Sequence, residues 1–189
     1  MKIKRKIPFF LLFLFDIVKL AVIAFVIVWP IHYFIFQPFY VVGPSMEPNF
    51  YDKDYLIVSK ITYRLNNPER GQVVIFHPPQ NDKTFLIKRV IGLPGEKIFI
   101  EKGHIYITGS EFFKGEELNE KDYLAPGLTT PGKIEIQLED DEYYVLGDNR
   151  SMSLDSRSFG AVKENRIVGR VSLRGWPFDR FGLIEAPMF

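Results

Sequence analysis

The chain has 189 residues without a cysteine, and its formal net charge at pH 7 is +1. The missing cysteine excludes a disulfide scaffold, a thiolate zinc site and a cysteine-nucleophile enzyme, and the balanced charge is not typical of a dedicated nucleic-acid binder. Eight of the 18 phenylalanines lie in the first 40 residues, whereas all 14 glycines lie at or after Gly43. We therefore expect an apolar N-terminal segment joined to a separate folded domain.

The apolar segment follows a basic N terminus and contains no charge between residues 20 and 46. This run exceeds the roughly 20 residues that a spanning helix needs. We place the helix at residues 17–36, and an earlier register at residues 9–29 is the alternative. A cleavable export signal has a similar pattern, but the run is too long and too aromatic for a signal core, and no small-x-small site precedes the domain.

The basic residues set the predicted orientation, because positive charge marks the cytoplasmic end of a spanning helix. We expect a cytoplasmic tail at residues 1–16, the anchor at residues 17–36 and an extracytoplasmic domain at residues 37–189. The N terminus would stay in the cytoplasm.

The domain is predicted to be mostly antiparallel β, because short β-rich runs alternate with Gly and Pro. One pair of runs, 97–101 and 104–108, is predicted to form a hairpin around Lys102 and Gly103. Residues 110–132, rich in charge, Gly and Pro, are predicted to form a surface excursion. The predicted strands cover residues 55–60, 72–77, 85–91, 97–101, 104–108, 134–138, 143–146 and 167–173.

A serine lies among turn-forming residues just beyond the apolar segment. Residues 43–48 read Gly-Pro-Ser-Met-Glu-Pro, which taken alone is typical of a linker turn. A nucleophile at Ser45 would work at the membrane surface and would need a base. The histidines have no evident site context, which disfavours a Ser-His-Asp triad; they are His32, His77 and His104.

A lysine in the predicted strand 85–91 is the better candidate base. Strand alternation puts Lys88 on the face of Leu86 and Val90 and sends Arg89 to the opposite face. Burial between apolar neighbours would lower the pKa of the lysine amine toward about 8, and a neutral amine can accept a proton. The alternative is that Lys88 extends its amine to solvent at a sheet edge. Arg89 cannot act as a base, because its guanidinium stays protonated.

A polar cluster at residues 147–157 follows the apolar run 143–146 and reads Gly-Asp-Asn-Arg-Ser-Met-Ser-Leu-Asp-Ser-Arg. By itself it is typical of a solvated loop, with Asp155 and Arg157 paired at the same-face spacing of a strand. The cluster lacks the repeated carboxylates and distal glutamate of a calcium loop, so no metal is expected.

Taken in order, these segments resemble type I signal peptidases, membrane-anchored Ser-Lys proteases that remove signal peptides from exported preproteins. The resemblance covers nearly the whole chain as far as Gly169. It implies a mostly β fold, in which an antiparallel β-sheet catalytic domain follows a single N-terminal transmembrane helix, without cofactor or metal. The motifs that carry it are the anchor and residues 45–48, 70–76, 87–96, 147–150 and 153–157.

The resemblance also implies roles and partners. Ser45 would be the nucleophile and Lys88 the general base, with Ser153 orienting the lysine amine by a hydrogen bond. The implied structural supports are two ion pairs, Asp148 with Arg89 and Asp155 with Arg157. The implied partners are signal peptides, the lipid of the cytoplasmic membrane and a secretion translocon nearby.

The predicted oxyanion hole departs from the family pattern at Gly43, where many members carry a serine. Either Gly43 contributes backbone or water-mediated stabilisation, or the hole depends mainly on the backbone N–H of Ser45. One such donor is worth roughly 10²- to 10³-fold in rate. Met152 also stands where the family usually has asparagine.

Four apolar residues match family positions that line the substrate clefts, namely Val41, Met46, Leu86 and Ile87. Family members prefer small side chains, typically alanine, one and three residues before the cleaved bond. The alternative for each of the four is an ordinary core position.

Two other functions stay open from the sequence. One is a specialised relative, such as a pilin-maturation peptidase of conjugation or an organelle inner-membrane peptidase. The other is a membrane-tethered β binding module without catalysis, which leaves Ser45 and the Lys-Arg pair of the predicted strand unexplained.

Overall fold

A computed structural model describes residues 9–30, 36–109 and 115–187, in which one long helix precedes a β domain. The helices are α1 (Phe9–Pro30), α2 (Thr62–Leu65) and α3 (Ser156–Phe159). The strands are β1 (Phe36–Tyr40), β2 (Tyr55–Ser59), β3 (Val73–Phe76), β4 (Leu86–Gly92), β5 (Lys97–Glu101), β6 (His104–Thr108), β7 (Glu116–Glu117), β8 (Ile134–Gln137), β9 (Glu142–Leu146), β10 (Val162–Lys163), β11 (Ile167–Trp176) and β12 (Gly182–Leu183).

Helix α1 contains an apolar stretch, Phe10–Trp29, that is long enough to cross a bilayer. The side chains of residues 10–29 are all exposed. The helix follows the earlier of the two predicted registers. It starts at Phe9 instead of residue 17, and Phe36, the last residue of the favoured span, begins β1.

The main sheet has the strand order β1-β2-β11-β3-β4-β9-β10, with β12 paired to β11. Strand β4 lies between β3 and β9, so Val74 is opposite Lys88 and Leu146 is opposite Arg89. The two cations are thus near the middle of a sheet instead of at its edge. All eight predicted strands are present, whereas β1, β7, β10 and β12 were not predicted.

A smaller sheet has the order β7-β6-β5-β8. The hairpin predicted around Lys102 and Gly103 is confirmed, since both residues have a positive φ between β5 and β6, as its tight turn requires. The prediction of a surface excursion at residues 110–132 is wrong for part of the segment. Residues 110–114 lie outside the described residues, but Leu118, Tyr123 and Thr130 are buried.

The apolar core that matters most for the site packs beneath β2, β3 and β11. Met46 and Phe50 are buried in it, together with Leu56, Val58 and Val171. Met46 and Phe50 follow Ser45 at one and five positions along the chain, so their burial in the core helps to fix the backbone that carries the serine.

Candidate active site

Ser45 lies at the start of a tight, hydrogen-bonded turn. The N–H of Glu47 donates to Pro44 O at 3.1 Å, and the N–H of Phe50 donates to Met46 O at 2.9 Å. Met46 has no exposed surface and anchors the turn in the core. The turn therefore holds Ser45 in a defined position above the sheet.

Lys88 approaches Ser45 from the middle of β4. Its Nζ lies 2.8 Å from Ser45 Oγ and 2.7 Å from Ile87 O, and only 2% of the residue is exposed. Burial lowers the pKa of the Lys88 amine to about 8, although the negative charges of Asp155 and Asp148 act to raise it. About half of the amines would be neutral near pH 8, and a neutral amine at this distance can accept the Ser45 proton.

Ser153 lies beside the dyad without the predicted hydrogen bond. Its Oγ is buried and has no hydrogen-bond partner among the described residues, so it does not donate to or accept from Lys88. The hydroxyl is close enough to Asp155 to help lower the pKa of that carboxyl. The orienting role predicted for Ser153 is therefore not visible in this geometry.

Gly147 permits the close packing of the polar cluster against the serine turn. A Cβ at this position would collide with Ser153 Oγ and would lie 2.5 Å from Ser45 O. Asn149 N–H also donates to Ser45 O at 3.1 Å. The sequence shows Gly147 only as a turn residue, and this requirement depends on contacts with residues distant in the chain.

The first predicted ion pair is formed by Arg89 and Asp148, both buried. Arg89 Nε and Nη2 donate to Asp148 Oδ1 and Oδ2 at 2.8 and 2.6 Å, and Nη1 donates to Gly71 O at 2.8 Å. This two-bond geometry fixes the polar cluster against β4.

The second predicted pair is formed by Arg157 and Asp155, at 2.8 Å for both Nε to Oδ1 and Nη2 to Oδ2. Burial acts to raise the pKa of the Asp155 carboxyl, but hydrogen bonds from Arg157 and from the Gly147 N–H outweigh it and lower the pKa. The spacing of Asp155 and Arg157 suggested a strand, but Asp155 does not lie in one. It caps the N terminus of α3, where its side chain accepts the Arg157 N–H.

The backbone N–H of Gly43 is bound to another residue and does not point into the predicted oxyanion hole as a free donor. Its N–H donates to Asp52 Oδ1 at 2.9 Å, which leaves the Ser45 N–H as the remaining predicted donor of the oxyanion hole. The φ of Gly43 is +83°, a left-handed conformation in which a serine side chain would be strained. Glycine at this position therefore avoids the strain that a side chain would add to this backbone conformation.

A small apolar cavity of about 100 Å³ opens beside the dyad. Three of the four predicted substrate residues line it, namely Val41, Leu86 and Ile87. The fourth, Met46, is fully buried and is not among the lining residues. The other lining residues include Phe39, Tyr40, Val42 and Phe85. A larger cavity of about 760 Å³ lies beside the small sheet and has neither Ser45 nor Lys88 in its wall.

The described histidines are engaged away from Ser45. His77 Nδ1 is 3.0 Å from Thr84 O, and His104 Nδ1 is 2.6 Å from Glu117 Oε1. His32 lies outside the described residues. The base nearest to Ser45 in the described part of the chain is therefore Lys88.

Two further residues of the site escaped the sequence reasoning. Asn49 Nδ2 donates to Asp148 Oδ2 at 2.8 Å, and Arg150 Nε donates to Gly147 O at 3.0 Å. In the sequence, Asn49 is marked only by its polarity and its position four residues after Ser45. Arg150 is marked only by its place at the end of the 147–150 motif.

Comparison with known proteins supports the resemblance read from the motifs. A family model described as "Signal peptidase, peptidase S26" matches residues 14–176. A probable signal peptidase I-2 from Synechocystis is 37% identical over 171 residues, covering 88% of this chain and 75% of the relative. A signal peptidase IB from Staphylococcus aureus is 38% identical over 175 residues, covering 87% of this chain and 90% of the relative.

A solved structure is also similar, a signal peptidase I from Enterococcus faecalis V583. It is 29% identical, with a TM-score of 0.46, and the match covers 57% of this chain and 98% of that one.

Proposed function

Because the chain belongs to the signal peptidase family, peptidase S26, we propose that it is a membrane-anchored serine endopeptidase that removes signal peptides from exported preproteins by a Ser-Lys mechanism. The observation that carries this proposal is the 2.8 Å separation of Ser45 Oγ and Lys88 Nζ. The depressed pKa of the buried lysine makes the arrangement chemically competent.

The reaction follows from this pair in two stages. Neutral Lys88 takes the Ser45 proton while Ser45 Oγ bonds to the scissile carbonyl carbon. The protonated lysine then gives a proton to the departing amine nitrogen as the C–N bond breaks, which leaves an ester on Ser45. Lys88 then takes a proton from a water molecule as the water oxygen bonds to the ester carbon. When the bond from that carbon to Ser45 Oγ breaks, Lys88 returns the proton to Oγ and the signal peptide leaves with a free carboxyl group.

The cavity beside the dyad supports a preference for small residues before the cleaved bond. Its volume of about 100 Å³ and its lining by Val41, Leu86 and Ile87 fit a methyl group, whereas a large side chain would require the wall to move. We therefore propose cleavage after Ala-x-Ala sequences.

The location follows from α1 and the charge of the N terminus. With Phe10–Trp29 in the bilayer and the basic residues in the cytoplasm, the β domain lies on the extracytoplasmic face. There it would meet preproteins as they emerge from a secretion translocon.

The test is processing of a purified preprotein by the full chain in phospholipid vesicles. Ser45→Ala and Lys88→Ala are each expected to abolish processing while circular dichroism and thermal unfolding show a folded domain. Retained cleavage by either folded variant would exclude the Ser-Lys mechanism. Processing should also persist in EDTA, and loss that zinc restores would indicate a metalloenzyme.

A further inference from the structure

A cluster of buried polar contacts links the segment of residues 118–130 to the catalytic turn, strand β4 and the 147–157 cluster. We propose that this 118–130 segment positions the Ser45–Lys88 dyad. The positioning residues are Glu120 and Tyr123 of the segment and Arg150 of the 147–157 cluster. The proposal rests on the Ser-Lys endopeptidase function proposed above. It gives a role in the reaction to a segment that looks like a surface excursion in the sequence.

The first connection runs through Arg150 to the backbone beside Ser45. Arg150 is buried, and its Nη1 and Nη2 donate to Glu120 Oε2 and Oε1 at 3.0 and 2.6 Å. Nη1 also donates to the Thr130 hydroxyl. The third nitrogen, Nε, donates to Gly147 O at 3.0 Å. The 118–130 segment therefore holds, through one guanidinium, the glycine that packs against the Ser45 carbonyl.

The second connection runs through Tyr123 to the two segments that carry Ser45 and Lys88. Its backbone oxygen accepts Asn49 Nδ2 at 2.6 Å, so it is bound to the turn that carries Ser45. Its ring lies against the Arg89 guanidinium, with 4.4 Å from Cζ to the ring centroid, next to Lys88 on β4. Its hydroxyl donates to Glu120 Oε1 at 2.5 Å.

Glu120 is thus the joint between the two connections, because one carboxylate accepts from both Arg150 and Tyr123. A buried polar network whose members are all hydrogen-bonded restricts its residues to one arrangement. The network contacts the backbone next to Ser45, through Gly147 and Asn49, and the strand that carries Lys88, through Arg89. Without the contacts of Glu120, the turn that carries Ser45 and the strand that carries Lys88 should move independently. The Ser45 hydroxyl should then be misplaced relative to the Lys88 amine.

Two substitutions test the hydrogen bonds of Glu120 without changing Ser45 or Lys88. Glu120→Gln keeps the shape of the side chain but removes the charge that Arg150 binds. Tyr123→Phe removes a single oxygen and keeps both the ring under Arg89 and the backbone oxygen used by Asn49. Glu117→Gln is the matched control, since it is the same substitution in the same part of the chain on an exposed carboxylate.

The assay uses the full chain in phospholipid vesicles with a peptide substrate that contains Ala-x-Ala. The concentration of competent enzyme is counted with a serine-reactive β-lactam probe that acylates Ser45, and kcat is calculated per acylated site. We expect kcat for both variants to fall by about 10- to 100-fold, the scale of a small misplacement of reacting groups. KM should stay unchanged, because the apolar cavity is not altered.

The contrary outcome is a kcat per acylated site equal to that of Glu117→Gln, with only the fraction of competent enzyme reduced. That result would assign the network to folding alone and overturn the proposal. If Glu120→Gln does not fold, the milder Tyr123→Phe decides. Failure of the underlying function would look different, since the unaltered chain would then not cleave the peptide, or Ser45→Ala would cleave it equally well.

Discussion

Lys88 and Arg89 are neighbouring cations on β4, and both are buried, yet their surroundings differ. Arg89 binds both oxygens of Asp148. Among the described residues, Lys88 has only the neutral oxygens of Ser45 and Ile87 within hydrogen-bond distance. Burial with a carboxylate partner keeps a cation charged, and burial without one favours the neutral form. The same strand therefore provides a charged support on one side chain and the proposed base on the next.

Replacing Lys88 by arginine removes the difference between the two neighbouring side chains and should have the largest effect. Lys88→Arg should lower kcat on the order of 10²- to 10⁴-fold, the usual value of a general base, because a guanidinium does not give up its proton near neutral pH. Single-turnover cleavage measures this loss. Activity near that of the unaltered chain would show that Lys88 does not act as the base.

Removing the partner of Arg89 tests the opposite side of the contrast. Asp148→Asn leaves a buried guanidinium without its countercharge, which should lower the free energy of unfolding by about 3–5 kcal/mol. Urea unfolding of the full chain in detergent measures it. The control is Glu135→Gln, which breaks the exposed Lys97–Glu135 pair and should cost less than about 1 kcal/mol. Equal losses in the two variants would contradict the structural role of the buried pair.

The pH dependence of stability sharpens the contrast further. The pKa of Lys88 is about 8 in the folded chain and 10.5 as its ordinary value. Below pH 8 the lysine is protonated in both states, and its burial opposes folding in full. Between pH 8 and 10.5 the unfolded chain binds more protons, so the free energy of unfolding should rise by about 3 kcal/mol, at about 1.36 kcal/mol per pH unit.

Urea unfolding at pH 7 and pH 10 measures this rise. Lys88→Met is the reference, because it keeps the contributions of the other titrating groups and removes that of Lys88. The unaltered chain should gain stability relative to Lys88→Met as the pH rises. The same pH dependence in both proteins would mean that Lys88 is not desolvated.

Local patterns made much of this site predictable. The alternation of 85–91 and the punctuation around it predicted β4, and the apolar neighbours of Lys88 predicted its low pKa. Strand β1 was missed because its apolar residues continue the pattern of the membrane segment. The anchoring contacts were missed for a different reason, since Asn49 meets Asp148 and Arg150 meets Glu120 only after the sheets form.

The connection between α1 and β1 is short enough to limit which peptide bonds of a substrate can lie next to Ser45. Helix α1 ends at Pro30 and β1 begins at Phe36, so the five residues between them cannot span more than roughly 20 Å. Strand β1 supplies Phe39 and Tyr40 to the wall of the cleft. If α1 lies in the bilayer as proposed, this connection limits how far Ser45 can lie from the lipid surface, and we expect cleavage only of peptide bonds within that distance.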